Sequence, residues 1–115
     1  AINTFVGLSI DYKTGNFLLS NKFGGVSGPA IKPMALAKVY QIYNLVKIPI
    51  IGIGGISSFS DVVEFIRAGA TMIQVGTLNY RDPSLLSNFN NQLEDFFEIN
   101  NIKNISNLVG KAYEI

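Results

Sequence analysis

The sequence predicts an α/β chain that forms the C-terminal part, about the last three strand–helix units, of a (β/α)8 TIM barrel. Two short β-branched runs, Ile48-Pro49-Ile50-Ile51-Gly52-Ile53-Gly54-Gly55 and Met72-Ile73-Gln74-Val75-Gly76-Thr77, each stop at glycine. A helix-like segment separates them, so they read as one βαβ unit whose parallel strands end side by side on one face. The chain has 115 residues, under half of the roughly 250 that a whole barrel takes. A small doubly wound sheet is the competing architecture. The absence of a G-x-G-x-x-G after the first strand, with its acidic partner, weighs against it.

The elements follow in order. Residues 1–10 alternate loosely, the end of a strand followed by a loop. Asp11-Tyr12-Lys13-Thr14-Gly15-Asn16 is a turn in which Gly15 or Asn16 takes positive φ. Phe17 to Ser20 reads as a short return strand closing a small hairpin. Phe23-Gly24-Gly25-Val26-Ser27-Gly28-Pro29 is too glycine-rich for regular structure and reads as a loop. From Pro33 to about residue 46, Ala35, Leu36, Val39, Tyr40, Ile42, Tyr43 and Val46 recur at helical spacing. A strand over 48–53 follows. Ser58 with Asp61 has capping-box spacing, Asp standing for Glu, and opens a helix that Gly69 ends. A strand over 71–75, a helix over 83–99 opened by Asp82-Pro83, and a short helix over 105–113 complete the pattern. Such near-continuously apolar parallel strands are expected to be covered on both faces. No internal repeat or linker divides residues 1–115, so they read as one segment of a single domain.

Composition removes several function classes. Hydrophobic residues make up 48% and the net charge is +1, so a packed chain is expected, without a basic face for nucleic acid. No apolar run approaches the ~18 residues of a membrane span. Cysteine and histidine are both absent. No thiolate nucleophile, zinc site or iron–sulfur ligand set can be built from these residues, and no metal site is expected. The side chain best suited to proton transfer near neutrality is missing too. The chain opens on Ala1-Ile2-Asn3-Thr4, apolar and without a methionine, so the true start is expected upstream.

The candidate site lies at the strand ends. Glycines there bare their backbone N–H groups where a following helix begins, which suits a phosphate. Glycine pairs also serve tight strand-to-loop turns. Two pairs on consecutive parallel strands, the second ending in the hydroxyl of Thr77, favour phosphate, as does the barrel habit of binding it with the last two loops and a short extra helix. Leu78-Asn79-Tyr80 sits where that helix would begin. The stretch Phe23 to Pro33 suits lining a planar ligand. Lys32 could meet an anion but is expected to be exposed. Asn3 can donate and accept toward a ligand edge, or cap a turn. Glu94, Asp95 and Glu98 are expected on a solvated helix face, and Tyr40 and Tyr43 in helix packing.

Taken in series, Ile2-Asn3-Thr4, Gly24 through Pro33, Ile50 through Ile56 and Ala68 through Thr77 resemble the C-terminal portion of a class 1 dihydroorotate dehydrogenase, over essentially all 115 residues. Ser27-Gly28-Pro29-Ala30 is most similar to the NAD-linked type B branch, and Gly76-Thr77 differs from the Tyr-Thr of membrane-bound class 2 enzymes. The resemblance implies an FMN-dependent, cytoplasmic oxidoreductase that converts dihydroorotate to orotate in pyrimidine (UMP) synthesis. It makes Gly54, Gly55, Gly76 and Thr77 the FMN phosphate cradle, with Ile2 and Gly28 against the flavin. Asn3 and Thr4 would bind the pyrimidine of dihydroorotate or orotate. The family's catalytic cysteine and an assisting lysine lie upstream, so no catalytic residue is expected in this segment. The resemblance further implies a homodimer, or a heterotetramer with a subunit whose FAD and [2Fe–2S] cluster pass electrons to NAD. Two other readings stay open: a dihydropyrimidine dehydrogenase-like flavin barrel, and a non-catalytic phosphate-binding half-barrel that self-assembles.

Overall fold

A computed structural model describes residues 1–113. The first two strands form a hairpin: β1 (Phe5–Leu8) pairs antiparallel with β2 (Phe23–Val26), Phe5 opposite Val26 and Leu8 opposite Phe23. The expected turn is present. Asp11 Oδ1 accepts from Lys13 N at 2.7 Å and Thr14 N at 3.2 Å, and Gly15 takes the positive φ of 74°. Two expectations are corrected here. The return strand over 17–20 reduces to one bridge between Phe17 and Ile10. The glycine-rich stretch is not a loop throughout, since its first four residues are β2. Glycine is what lets that strand fit, because a Cβ at Gly25 would overlap the Thr4 side chain and one at Gly24 would press on Leu19.

A 3-10 turn over Pro29–Ile31 leads into α1 (Lys32–Tyr43). Pro33 sits in its first turn, where a missing N–H costs nothing. Then come β3 (Ile51–Gly52), α2 (Phe59–Ala68) and β4 (Met72–Ile73). The two strands run parallel with Ile51 opposite Met72. They are shorter than the expected 48–53 and 71–75. Ladder bonds extend only from Thr71 N to Ile50 O (2.8 Å) and from Gln74 N to Gly52 O (2.9 Å). Beyond Ile53 the positive φ values of Gly54 (136°) and Gly55 (72°) turn the chain away. On the other side of β3, Ala1 O accepts from Ile53 N at 2.8 Å and Ile2 N donates to Ile53 O at 2.9 Å, so the start of the chain joins this sheet.

The α2 helix begins as its sequence expects. Ser58 Oγ accepts from Asp61 N, while Asp61 Oδ2 accepts from Ser58 N at 3.0 Å, which closes a capping box. Gly69 ends the helix at φ 124°, and the Tyr43 ring packs where its side chain would stand. Tyr43 thus packs on Gly69 while 39% exposed, and Tyr40 is 49% exposed. Val62, Phe65 and Ile66 of α2 meet Ala35 and Val39 of α1, and this core extends through Ile50, Ile56 and Ala70. After β4 come α3 (Thr77–Arg81) and α4 (Leu85–Ile99). Phe89 of α4 closes the core from that side, and Phe96 meets Phe59 edge-on at 5.9 Å. Glu94, Asp95 and Glu98 are exposed.

The expected helix over 105–113 is a single 3-10 turn, Ile105–Asn107. The remainder is drawn along the end of α2 instead: Gly110 N donates to Ile66 O (3.1 Å) and Ala112 N to Arg67 O (3.0 Å). The expectation of strands covered on both faces is also corrected. Phe65 and Ala70 close so tightly over Gly52 that a Cβ there would stand 2.8 Å from the Phe65 ring. On the opposite face Ile51 is 39% and Met72 63% exposed. That face is thus more open than the one under Phe65.

Phe65 is fully buried at the centre of these contacts. Phe65→Ala is expected to lower unfolding free energy by about 3–5 kcal/mol, the range for emptying a large aromatic site, as read by urea denaturation.

Candidate functional site

The loops that leave Ile2, β2, β3 and β4 converge on one cleft of about 140 Å³. Its lining includes Ile2, Asn3, Thr4, Gly28, Gly54, Gly55, Gly76 and Thr77, so all eight candidate residues named from the sequence meet in one place. The walls are close to one another. A Cβ at Gly28 would lie 3.9 Å from Thr77 Cγ2, and one at Gly54 would lie 3.1 Å from Ile2 Cγ1. The volume is well below the ~300–1,000 Å³ of a pocket that engulfs a drug-sized ligand. A cleft of this size matches one end of such a ligand.

The cleft is rich in unused donors. Among the described residues, the backbone N–H groups of Gly54, Gly55, Gly76 and Thr77 have no protein acceptor. Backbone donors left open in a concave wall favour an anion, whose charge they share without desolvating a protein cation. The three glycines differ in what they permit. Gly55 is fixed by the backbone around it, since a Cβ would stand 2.6 Å from Lys32 N and 2.8 Å from Gly28 O. Gly76, at a φ of −98°, has nothing within 4 Å of its Cβ position. Of these glycines, Gly76 therefore has the room to take a side chain that would crowd the cleft. Asn3 Oδ1 accepts from Thr4 N at 2.7 Å, so the turn-capping role and the place in the cleft coexist.

Sequence reasoning missed Arg81, the one charged side chain lining the cleft among the described residues. The signal was present: Arg81 stands four residues after Thr77, one helical turn along the same face. Ser57 and Gln74 also line the cleft. Lys32 corrects its expectation. It is 27% exposed rather than free in solvent, and its Nζ pairs with Asp61 Oδ1 at 2.6 Å and Glu64 Oε2 at 2.9 Å. These hydrogen bonds, Asp61 first, raise the Lys32 pKa above its ordinary 10.5.

Asp61 is the buried carboxylate of the structure. Its Oδ2 accepts from Ser57 N (2.9 Å), Ser57 Oγ (3.1 Å) and Ser58 N (3.0 Å), while Oδ1 takes Lys32. Burial pushes this carboxyl up, but Lys32 and the serine donors together outweigh it and hold the pKa at about 2. No group of three or more His, Cys, Asp or Glu side chains suited to a metal occurs among the described residues.

Residues 1–97 match the protein-family model described as dihydroorotate dehydrogenase. The chain is similar to the dihydroorotate dehydrogenase B (NAD(+)) catalytic subunit of Malacoplasma penetrans, with 46% identity over 112 residues, 97% of this chain and 37% of that protein. The subunit of the same name from Carboxydothermus hydrogenoformans is 47% identical over 112 residues, 97% of this chain and 36% of its own length. That from Geotalea uraniireducens is 47% identical over 109 residues, 95% and 36%. The chain spans a little over a third of the length of these relatives.

The Asp61 carboxyl links stability to pH. Its folded pKa of about 2 lies below the ordinary 3.8. Its contribution is thus present above about pH 4 and lost as the pH falls through 2, about 2 kcal/mol in all. Asp61→Asn is expected to remove that component, and urea unfolding at pH 7 and pH 2.5 measures it.

Proposed function

This chain belongs to the dihydroorotate dehydrogenase family, and from that premise we propose that it is the FMN-phosphate end of an enzyme that oxidises dihydroorotate to orotate in pyrimidine (UMP) synthesis. On this reading residues 1–115 are the last three or so strand–helix units of a single (β/α)8 barrel domain. The more open face of β3 and β4 supports it, because the exposed parts of Ile51 and Met72 there call for further strands or side chains to cover them. A flavin-free half-barrel closed by a second copy would also cover that face. Size measurement combined with flavin absorbance separates the two.

One observation carries the cofactor assignment: four open backbone N–H groups and the Arg81 guanidinium surround a cleft sized for one end of a ligand. A phosphate ester fits that donor set. Gly54, Gly55, Gly76 and Thr77 would hold the phosphate, Arg81 would balance its charge, and Ile2 and Gly28 would lie against the flavin. Asn3 and Thr4 would reach the pyrimidine, whose imide edge needs a donor and an acceptor together. When bound, FMN supplies the acceptor for the hydride that leaves dihydroorotate. These residues bind and orient. No cysteine or histidine is present here, and the resemblance assigns the base to a cysteine elsewhere in the polypeptide.

The relatives' names, with NAD(+) and a catalytic subunit, support a type B assembly in which electrons reach NAD through a partner subunit carrying FAD and a [2Fe–2S] cluster. A homodimer of catalytic subunits would form its core. A cytoplasmic location belongs to the same reading. Among the described residues no helix is long and apolar enough to cross a membrane.

In the complete protein, Gly76→Val is expected to weaken FMN retention at least about tenfold, because crowding that removes one charge-assisted hydrogen bond costs roughly 1.5–3 kcal/mol. Arg81→Gln, at an exposed position, is expected to weaken it by roughly two- to fivefold. Full flavin occupancy in both variants, measured by absorbance after gel filtration, overturns the phosphate assignment.

A further inference from the structure

Two of the groups that build the cleft come from separate parts of the chain: the Gly54–Gly55 turn after β3, and Gly28 just before α1. Their mutual position is not set by strand pairing, since β3 ends at Gly52. A carboxylate bridges them. Asp61 Oδ2 gathers the N–H groups of Ser57 and Ser58, two and three residues after Gly55. Asp61 Oδ1 takes Lys32 Nζ, four residues after Gly28. The two segments meet so closely that no Cβ fits between Gly55 and the Lys32 backbone. Neither Asp61 nor Lys32 lines the cleft itself.

We propose that Asp61 and Lys32 are positioning residues for the phosphate cradle, tying the glycine turn after β3 to the start of α1 so that the open N–H groups of Gly54 and Gly55 are held toward one anion. This rests on the flavin reading above. The pairing also has an electrostatic part. A carboxylate one loop away from a phosphate repels it, and Lys32 offsets that charge at 2.6 Å. Glu64, the other partner of Lys32, is more exposed and makes no bond to the glycine turn among the described residues.

The test uses the complete protein stripped of flavin and titrated with FMN and with riboflavin, which lacks the phosphate. Lys32→Met and Asp61→Asn are expected to raise the FMN dissociation constant about tenfold while changing that of riboflavin less than twofold. Lys32→Arg is expected to restore FMN binding to within about threefold. With FMN saturating, kcat and the KM for dihydroorotate are expected to stay unchanged. Parallel weakening of both flavins, or an unaltered FMN constant in Lys32→Met, overturns the proposal and leaves the flavin reading standing. Failure of the unaltered protein to bind FMN overturns both. Hydrogen exchange on the unaltered protein gives an arm free of variants: added FMN is expected to slow residues 54–58 and 28–32 together. Protection confined to one segment also overturns the proposal.

Discussion

The structure depends on one close approach, the backbone of Gly55 against the backbone of Gly28 and Lys32. A single added methyl group would stand under 3 Å from three main-chain atoms there. Main chain cannot shift as a flexible side chain can, so this contact admits glycine alone, and the φ of 72° asks for the same residue. Two loops from distant parts of the sequence are thereby locked at van der Waals range. The four-sided cleft exists because that distance is so short.

Burial supplies the rigidity that two-residue strands cannot. β3 and β4 share few hydrogen bonds, yet Phe65, Ile66 and Val39 are fully buried beside them. Phe65 presses on Gly52 from below, and the capping box aims α2 with Ser58 and Asp61 next to the glycine turn. The same helix thus fills the core with one end and organises the cleft with the other. Its two tasks share one constraint, the angle at which it leaves the loop over 54–58.

Much of this was legible in the sequence because the signals were local. The capping box at Ser58, the stop at Gly69, the turn at Gly15 and the short helix after Gly76 all follow from residues within a few positions of one another. Gly54, Gly55, Gly76 and Thr77 were legible as strand-end motifs and Asn3 as a polar residue after a strand, Ile2, Thr4 and Gly28 came from the resemblance, and the parallel direction of β3 and β4 followed from the βαβ pattern. What escaped was decided across the chain. Phe23 to Val26 became a strand because Phe5 to Leu8 lies opposite, which overrides the poor propensity of two glycines. Residues 108–112 follow the end of α2 through bonds to Ile66 and Arg67 rather than their own helical pattern. Lys32 lost its freedom to acidic residues about thirty positions away, a distance no local pattern spans.

Four donors around the cleft have a consequence for how this segment tolerates change. They belong to the main chain, so exchanging a side chain does not delete them, as it would delete Arg81. Drift at most surrounding positions leaves the donor array in place. The vulnerable substitutions are the few that remove an N–H outright, as proline does, or that bend the path carrying it. Such a site would be passed on as a geometry, and distant relatives could share it while agreeing at little more than their glycines.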